Sequence, residues 1–397
     1  MKRIIFLFAI IAIVAALIVG GYLLRQTTGE PSESSSSTDL GTGQLPIPII
    51  PNNASSTGTS TIPTLPTSGF GIADESPVFN YFAAENGIII TISPNGEIRE
   101  RSGSTTKTLS STVIKNIRET SFSFDGKKLL VMFGEVDNPQ VSVFDTENYE
   151  WQPLTISPSS IDWSPTDYQI AYLTEDTDGT AILRILDTEI ADPKPKTISS
   201  LGGLDLQLSW VTPNEIVISE KSSAFVKNSI WKLNKTTGNL TNVVSEKQGL
   251  LANWDKEQNL GILFFSSENR RGGQLSLINI GGKILGEFSF LTLPNKCSFS
   301  SIVKTSTSTD NPEEKVFLNC AVPKETQSFS NRILPDDYFK QLIFTDDNLY
   351  QIDIQNGNVN ALSNNSGSIF DATNIQATNG RLFFINRLDQ KLYSITL

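Results

Sequence analysis

The chemistry open to this chain is limited first by composition, because none of its 397 residues is histidine. Without an imidazole there is no Ser-His-Asp or Cys-His nucleophile, no histidine general base and no histidine-ligated zinc. The two cysteines are too few for a thiolate metal cluster. The remaining options are carboxylate chemistry, a Ser–Lys pair, or no chemistry.

Two stretches come near a catalytic or metal-binding motif, and both fail on context or spacing. Residues 104–107 (STTK) match S-x-x-K by letter, but they lie in a turn-rich stretch without the companion motifs of the lactamases. Residues 175–179 (EDTDG) resemble part of a calcium loop. The twelve-residue pattern would place Thr174 at the first ligand and Ile185 at the bidentate carboxylate. We therefore predict no catalytic, cofactor or metal site and no enzymatic activity.

The elements that would position any functional group are short β-strands. From about residue 78 onward, β-rich runs alternate with turn signals, and no window of helical length shows convincing 3.6-residue periodicity. Asn-Gly and Asp-Gly pairs, which tolerate the positive φ of tight hairpins, occur at residues 86–87, 95–96, 125–126, 178–179, 356–357 and 379–380. This pattern predicts an all-β fold.

The strands repeat. An aromatic residue ends a first strand every 39–47 residues, at Phe124, Trp163, Trp210, Trp254 and, more weakly, Phe299. A polar turn, an apolar second strand and two further strands follow. Four strands in a unit of this length are typical of one blade of a β-propeller. We expect the first four of these aromatic residues to occupy equivalent, buried positions in successive blades.

The two ends of the repeat region are incomplete in complementary ways. Residues 79–102 look like the later three strands of a blade, and residues 370–397 look like the first three. Terminal segments that complete each other close the ring and hide its strand edges. A single propeller of seven blades fits best, and six blades remain an alternative.

Two of the repeat segments resemble a known family. Residues 121–130 (SFSFDGKKLL) and 162–173 (DWSPTDYQIAYL) are similar to the repeats of TolB-like, WD-type β-propellers. The resemblance extends over about four units, roughly half of the chain. It implies a protein-interaction platform in an extracytoplasmic compartment. The matching residues are blade-packing residues, so the resemblance carries over no binding residue.

The longest insertion within a predicted blade covers residues 322–341. Loops on rigid scaffolds often carry recognition, and exposed aromatic residues make binding anchors. A partner-binding loop would use five of its residues. They are Arg332, Asp336, Asp337, Tyr338 and Phe339. The alternative is that both aromatic side chains pack back onto the blade.

Cys297 and Cys320 fall in the first and second predicted strands of one blade. Those strands are antiparallel neighbours, and an exported compartment permits oxidation. A cross-strand disulfide and two buried free thiols are both open at this point. A catalytic pair is not favoured, because there is no C-x-x-C spacing.

The first 25 residues predict a membrane anchor. Residues 4–24 carry no charge, and at 1.5 Å per residue they would cover about 30 Å, the thickness of a bilayer core. Lys2 and Arg3 precede the run, which places the N-terminus in the cytoplasm. A cleaved secretory signal is the alternative, although the apolar run is too long and no A-x-A site follows.

The Ser/Thr/Pro-rich residues 26–72 predict a disordered linker, since they cannot bury a core. Residues 73–397 form the predicted propeller domain. With a net charge of −11 the chain should repel phosphates, so nucleic acid is not an expected partner. The interpretation is a single-pass cell-membrane protein whose extracytoplasmic propeller is a scaffold for a protein or glycan partner. The alternative is a carboxylate-based, glycan-acting enzyme with acids in the propeller channel.

Overall fold

The computed structural model describes residues 69–190, 193–203, 205–304, 313–362 and 369–397. The predicted anchor and nearly all of the predicted linker lie outside these residues. Within the described ranges, no helix has the length and apolar character needed to cross a membrane. The described chain folds into seven antiparallel sheets of four strands each, so the prediction of an all-β, seven-bladed propeller is confirmed.

Each of the first six blades is built from four consecutive strands, numbered from the channel outward. Blade one contains β2 (Asn80–Ala83), β3 (Ile88–Ile92), β4 (Ile98–Ser102) and β5 (Thr105–Ser110). Blade two contains β6 (Ile117–Phe122), β7 (Lys128–Gly134), β8 (Pro139–Asp145) and β9 (Glu150–Leu154). Blade three contains β10 (Ser160–Trp163), β11 (Gln169–Glu175), β12 (Ala181–Asp187) and β13 (Lys196–Leu201). Blade four contains β14 (Leu206–Thr212), β15 (Glu215–Glu220), β16 (Lys227–Asn234) and β17 (Leu240–Gln248). Blade five contains β18 (Leu251–Trp254), β19 (Leu260–Ser266), β20 (Gly273–Asn279) and β21 (Ile284–Glu287). Blade six contains β22 (Cys297–Lys304), β23 (Glu313–Pro323), β24 (Asp347–Asp353) and β25 (Val359–Ala361).

Blade seven joins the two ends of the domain. It contains β26 (Ala372–Thr378), β27 (Arg381–Asn386), β28 (Leu392–Thr396) and, as its outermost strand, β1 (Gly71–Asp74). Strand β1 runs antiparallel to β28, with Gly71 opposite Ser394. The expectation that residues 370–397 supply the first three strands of a blade is confirmed.

The expectation for residues 79–102 is wrong. They are the first three strands of blade one, and β5 completes that blade from the following residues. The closing strand is instead the four-residue β1, which precedes them. A strand this short next to a polar linker has no periodicity of its own. Its place is fixed only by pairing with the far end of the chain.

The aromatic repeat keeps its register at three positions and fails at one, and of those three Trp163 and Trp210 are buried whereas Trp254 is half-buried. Trp163 and Trp254 end the inner strands of blades three and five, and Trp210 lies two residues before the end of that of blade four; all three pair with the start of the second strand. In blade two the residue at the equivalent position is Phe122, which ends β6 and pairs with Leu129 near the start of β7.

Phe124 lies two residues further on, in the turn, and its side chain is 47% exposed. The assignment of Phe124 to the repeat is therefore wrong. The two phenylalanines alternate with serine, so composition does not decide which of them is in register.

The apolar core consists of layers between neighbouring sheets. Trp163, for example, packs with Leu130 and Val143 of blade two and with Ile170 of its own blade. Trp210 packs in the same way against Leu183 of blade three. Since each sheet alternates in strand direction, all loops between second and third strands lie on one face of the ring, together with the connections between blades. We call this the insertion face.

Candidate functional site

A 23-residue insertion, residues 324–346, separates β23 from β24 and lies on the insertion face. It contains two short helices, α1 (Thr326–Ser330) and α2 (Asp336–Phe339). Asp336 ties the insertion to blade four, where its two carboxylate oxygens accept hydrogen bonds from Ser223 Oγ at 3.1 Å and Ala224 N at 2.7 Å. The insertion thus reaches beyond its own blade.

Blade five supports the middle of the insertion. Gly272 N donates to the Arg332 carbonyl at 2.9 Å, and Arg271 Nη1 donates to the Asn331 carbonyl at 2.7 Å. Gly272 has a φ of +60°, and a Cβ there would lie 2.8 Å from the Ser330 carbonyl oxygen. Only glycine permits this close approach without a shift of one backbone. Residues 324–346, which we call the arch, are thus held on blade five by a backbone and a side-chain hydrogen bond.

Blade seven contacts the insertion at its second helix, α2. Arg387 Nη2 donates to the Tyr338 carbonyl at 3.1 Å, and its guanidinium lies 3.9 Å from the centre of the Tyr338 ring. Tyr338 is 2% exposed, so this ring packs back onto the propeller, whereas Phe339 is 51% exposed. Asp337 binds within the insertion, accepting the Ile333 N–H at 3.0 Å.

The five residues predicted for a binding loop therefore fall into two groups, those accessible to a ligand and those that attach the insertion to the propeller. Phe339 points outward at the channel mouth, and Arg332 lines a neighbouring groove. Asp336, Asp337 and Tyr338 hold the insertion in place. The structure thus brings the five together in one arch that is hydrogen-bonded to blades four, five and seven, with only part of it available to a ligand.

A cluster of exposed apolar side chains flanks the arch. A groove of about 550 Å³ between the insertion and blade seven includes Leu342, Phe344, Ile369 and Leu388, all among the exposed large apolar residues. We call these four residues and Phe339 the apolar patch. Exposed apolar groups that gather around a rigid loop are typical of interaction sites.

The mouth of the central channel lies beside Phe339. A cavity of about 430 Å³ is lined there by inner-strand amides. These amides are used between blades: Asn80 Nδ2 donates to the Thr120 carbonyl at 2.9 Å, and Asn253 Nδ2 donates to the Cys297 carbonyl at 3.0 Å. These hydrogen bonds join the inner strands of neighbouring blades and so stabilise the ring.

Buried charge accumulates beneath Tyr338. Lys296, at the end of a short 3-10 helix (Pro294–Lys296), lies 2.7 Å from Asp347 and 2.6 Å from Asp371. All three side chains are fully buried, and Arg387 Nη1 completes the cluster at 2.7 Å from Asp371. No sequence pattern indicates this cluster. Its members are separated along the chain and share no motif, so only the folded ring brings them together.

Two carboxyl groups lie near each other on the inner strands of blades two and three, those of Glu119 and Asp162. The carboxylate of Asp162 accepts hydrogen bonds from Trp210 N at 2.9 Å and from Lys256 Nζ at 3.1 Å. Burial, together with the charge of Asp162, raises the pKa of Glu119 to about 7. A pKa in this range would let Glu119 change its charge near neutral pH, and no pattern in the sequence indicates such a group.

Replacement of this carboxyl should change how stability depends on pH. Because the folded pKa of Glu119 is raised, its protonated form stabilises the fold at low pH, and that contribution is lost as the pH rises through about 7. We expect Glu119→Gln to raise the melting temperature at about pH 8 and to have little effect at about pH 5. Glu150→Gln, on the exposed outer strand of the same blade, is the matched control. Parallel curves for wild type and Glu119→Gln across this range would contradict the assignment.

Cys297 and Cys320 lie directly opposite each other on β22 and β23. Their Sγ atoms are joined in a disulfide, 2.09 Å apart, across 23 residues of sequence. A loop of this length corresponds to about 3 kcal/mol of stabilisation in the chain-entropy model. The bridge lies one residue after Lys296 and stiffens the blade that carries the insertion.

Comparison with known proteins reveals fold similarity alone. No family model and no curated protein matches the chain. A chain of the mitotic checkpoint complex aligns with 10% identity and a TM-score of 0.52, covering 87% of this chain and 99% of that one. Oligogalacturonate lyase from Vibrio parahaemolyticus aligns with 11% identity and a TM-score of 0.51, covering 84% and 92%. TolB from Acinetobacter baumannii aligns with 16% identity and a TM-score of 0.38, and the match spans about half of each chain (53%).

Identities this low establish architecture only. The sheet order and the strand that closes the ring establish the same architecture independently. The chain is thus a seven-bladed β-propeller, the fold that its resemblance to TolB-like and WD-type repeats implied.

Proposed function

We propose that this chain is a membrane-tethered scaffold whose propeller, outside the cytoplasm, binds a protein partner through the insertion face. The observation that carries the proposal is the apolar patch on a rigid arch. Hydrogen bonds to blades four, five and seven fix the arch before any partner arrives. A preorganised site loses little entropy on binding, so its exposed aromatic side chains are suited to act as anchors.

The patch favours a protein over a glycan as the partner. Its members are the side chains of Phe339, Leu342, Phe344, Ile369 and Leu388. Aliphatic side chains offer a sugar no hydrogen bonds, whereas the apolar core of a protein interface is built from such groups. The mitotic checkpoint complex shows that a propeller of this architecture takes part in a protein assembly.

Photo-crosslinking tests the proposal in the native host. A photoreactive amino acid at Phe339 or Phe344 of the full chain should yield one discrete cross-linked protein. At Leu240 and Ile284, whose exposure is comparable at 48% each on the opposite face, it should yield none. Phe339→Ser with Phe344→Ser should then weaken binding of that purified protein at least a hundredfold, since each lost anchor costs about 2 kcal/mol. Equal labelling from both faces, or unchanged affinity, would overturn the assignment of the face.

The tether and its location are part of the proposal and rest on the sequence of residues 1–25. An uncleaved anchor keeps the full-length chain in membranes after a carbonate wash, and protease added outside the cell should remove the propeller. A mature N-terminus near residue 25–30 would instead identify a cleaved signal.

Catalysis by the carboxyl groups of Glu119 and Asp162 is the second candidate function. The raised pKa of Glu119 beside Asp162 favours it, because a proton-donating carboxyl next to a second carboxylate is the pairing that glycosidic chemistry uses. One structure of similar fold is an oligogalacturonate lyase. Against it, Asp162 is already paired with Lys256. Turnover of an oligosaccharide by the wild type and its loss in Glu119→Gln would establish the enzyme.

A further inference from the structure

We propose that Lys296 and Asp371 form an intramolecular amide bond between blades six and seven, with Asp347 as the group that transfers the proton. The inference goes beyond the binding function and is independent of it. It rests on the arrangement of one amine and two carboxyl groups in a site that is closed to solvent.

The reacting atoms are already in contact. Lys296 Nζ lies 2.6 Å from Asp371 Oδ1 and 2.7 Å from Asp347 Oδ2, and all three side chains have zero exposure. The Tyr338 ring, 5.2 Å from Nζ, covers the site from the insertion. Reactants held in contact and away from water react as if at effective concentrations of about 10⁵ M or more.

The two carboxyl groups differ in a way that assigns their roles. Asp371 Oδ2 accepts hydrogen bonds from Arg387 Nη1 at 2.7 Å and from Thr345 N at 3.2 Å. These donors stabilise the negative charge that develops on this oxygen when an amine attacks the carboxyl carbon. Asp371 is therefore the acyl donor, and Oδ2 becomes the amide oxygen.

Asp347 has the properties of the proton carrier. Its Oδ2 accepts the Ala372 N–H at 2.8 Å, and its buried Oδ1 has no hydrogen-bond partner among the described residues. Burial raises the pKa of Asp347 above its ordinary value. Burial alone would lower the pKa of Lys296, but the neighbouring carboxylates, that of Asp347 first, hold it well above its usual range. Reaction therefore begins when the ammonium passes one proton to Asp347.

The step balances without any other reactant. The neutral amine attacks Cγ of Asp371 and gives up a second proton as the C–N bond forms. Oδ1 leaves with both protons as water, one of them delivered by Asp347, which returns to a carboxylate. An ammonium and a carboxylate thus become an amide and one water. The charges of Lys296 and Asp371 disappear, whereas the carboxylate of Asp347 stays buried beside the new amide.

The bond would join the start of the inner strand of blade six to that of blade seven. It lies next to the Cys297–Cys320 bridge and beneath the insertion. A covalent link here would keep blades six and seven together even when the short closing strand β1 opens.

Mass spectrometry of the purified full chain, with its disulfide reduced, tests the inference directly. We expect an intact mass lower than the sequence mass by one water. Proteolysis should yield a branched peptide that joins Lys296 to Asp371, and linear peptides containing these residues should be lost. A full sequence mass would overturn the inference. So would a water loss that maps elsewhere, such as a succinimide at Asp125-Gly126.

Variants separate the roles of the two carboxyl groups. Asp347→Asn keeps the size and an acceptor for the Ala372 N–H but removes the proton carrier, so it should retain the full mass in a folded chain. In Asp371→Asn the leaving group is ammonia, so any bond formed lowers the mass by ammonia instead of water. Formation of the disulfide in each variant verifies that blade six has folded. A folded Asp347→Asn chain that still carries the branched peptide would overturn the assigned role.

Discussion

Truncation of Trp163 or Trp210 to alanine should lower the free energy of unfolding by about 3–5 kcal/mol. Both side chains have zero exposure and lie in the apolar layers between neighbouring blades. Removing an indole from such a layer loses its transfer free energy and leaves a cavity that two rigid sheets do not close. This is a large share of the 5–15 kcal/mol that stabilises a typical domain. Urea denaturation followed by circular dichroism measures the change.

Two other members of the predicted repeat provide internal controls. Trp254 is half-buried, so Trp254→Ala should cost less than Trp163→Ala. Phe124 is exposed in a turn against Tyr168, and Phe124→Ala should cost less than about 1 kcal/mol. If Phe124→Ala destabilises as much as Trp163→Ala, the register of blade two is incorrect.

Phenylalanine at the two buried positions gives a finer comparison. Trp163 Nε1 donates to the Ser121 carbonyl at 2.9 Å, whereas the buried Trp210 Nε1 has no acceptor among the described residues. Trp163→Phe therefore loses a hydrogen bond as well as volume, and Trp210→Phe removes an unsatisfied donor. Trp163→Phe should be the more destabilising of the two by about 1 kcal/mol.

Sequence predicted the propeller because its determinants are local and repeated. A tryptophan at or near the end of the inner strand, a polar turn and an apolar strand recur in blades three to five, and each copy reinforces the assignment of the others. Where the repeat weakens, the prediction fails in detail. Phe124 lies two residues out of register with the repeat. The closing strand β1 is not predictable, because a pattern of four residues does not identify a partner strand at the opposite end of the chain.

The site was predictable only in position. An insertion between two strands of blade six indicated a functional loop, and the structure places that loop on one face with Phe339 outward. The role of Asp336 depends on a hydrogen bond to Ala224, more than a hundred residues away. The buried cluster around Lys296 likewise depends on residues that the ring brings together from blades six and seven. Such contacts follow from closure of the ring, which no local pattern encodes.

The buried cluster carries the second large effect. Relative to the chain before amide formation, in which Lys296 is an ammonium paired with Asp347, Lys296→Met should destabilise the fold by about 3–5 kcal/mol, because it leaves Asp347 buried without its cation. Methionine matches the length of the lysine stem, so lost packing contributes little. Lys296→Met combined with Asp347→Asn should recover much of the loss, since the asparagine still accepts the Ala372 N–H while the buried charge is gone. Both variants lack the Lys296 amine, so the comparison reports the cost of the charge alone.

The pH dependence of the single variant tests the same cause. Burial raises the pKa of Asp347 even with Lys296 present, and removing the lysine removes the neighbour that most opposes this rise. A group whose folded pKa is raised stabilises the fold at low pH, and this contribution disappears as the pH rises through the folded pKa. The deficit of Lys296→Met should therefore be smaller at about pH 5 than at about pH 8, and the double variant should show no such difference. An equal deficit at both pH values would mean that lost packing, and not the unpaired carboxylate, destabilises the fold.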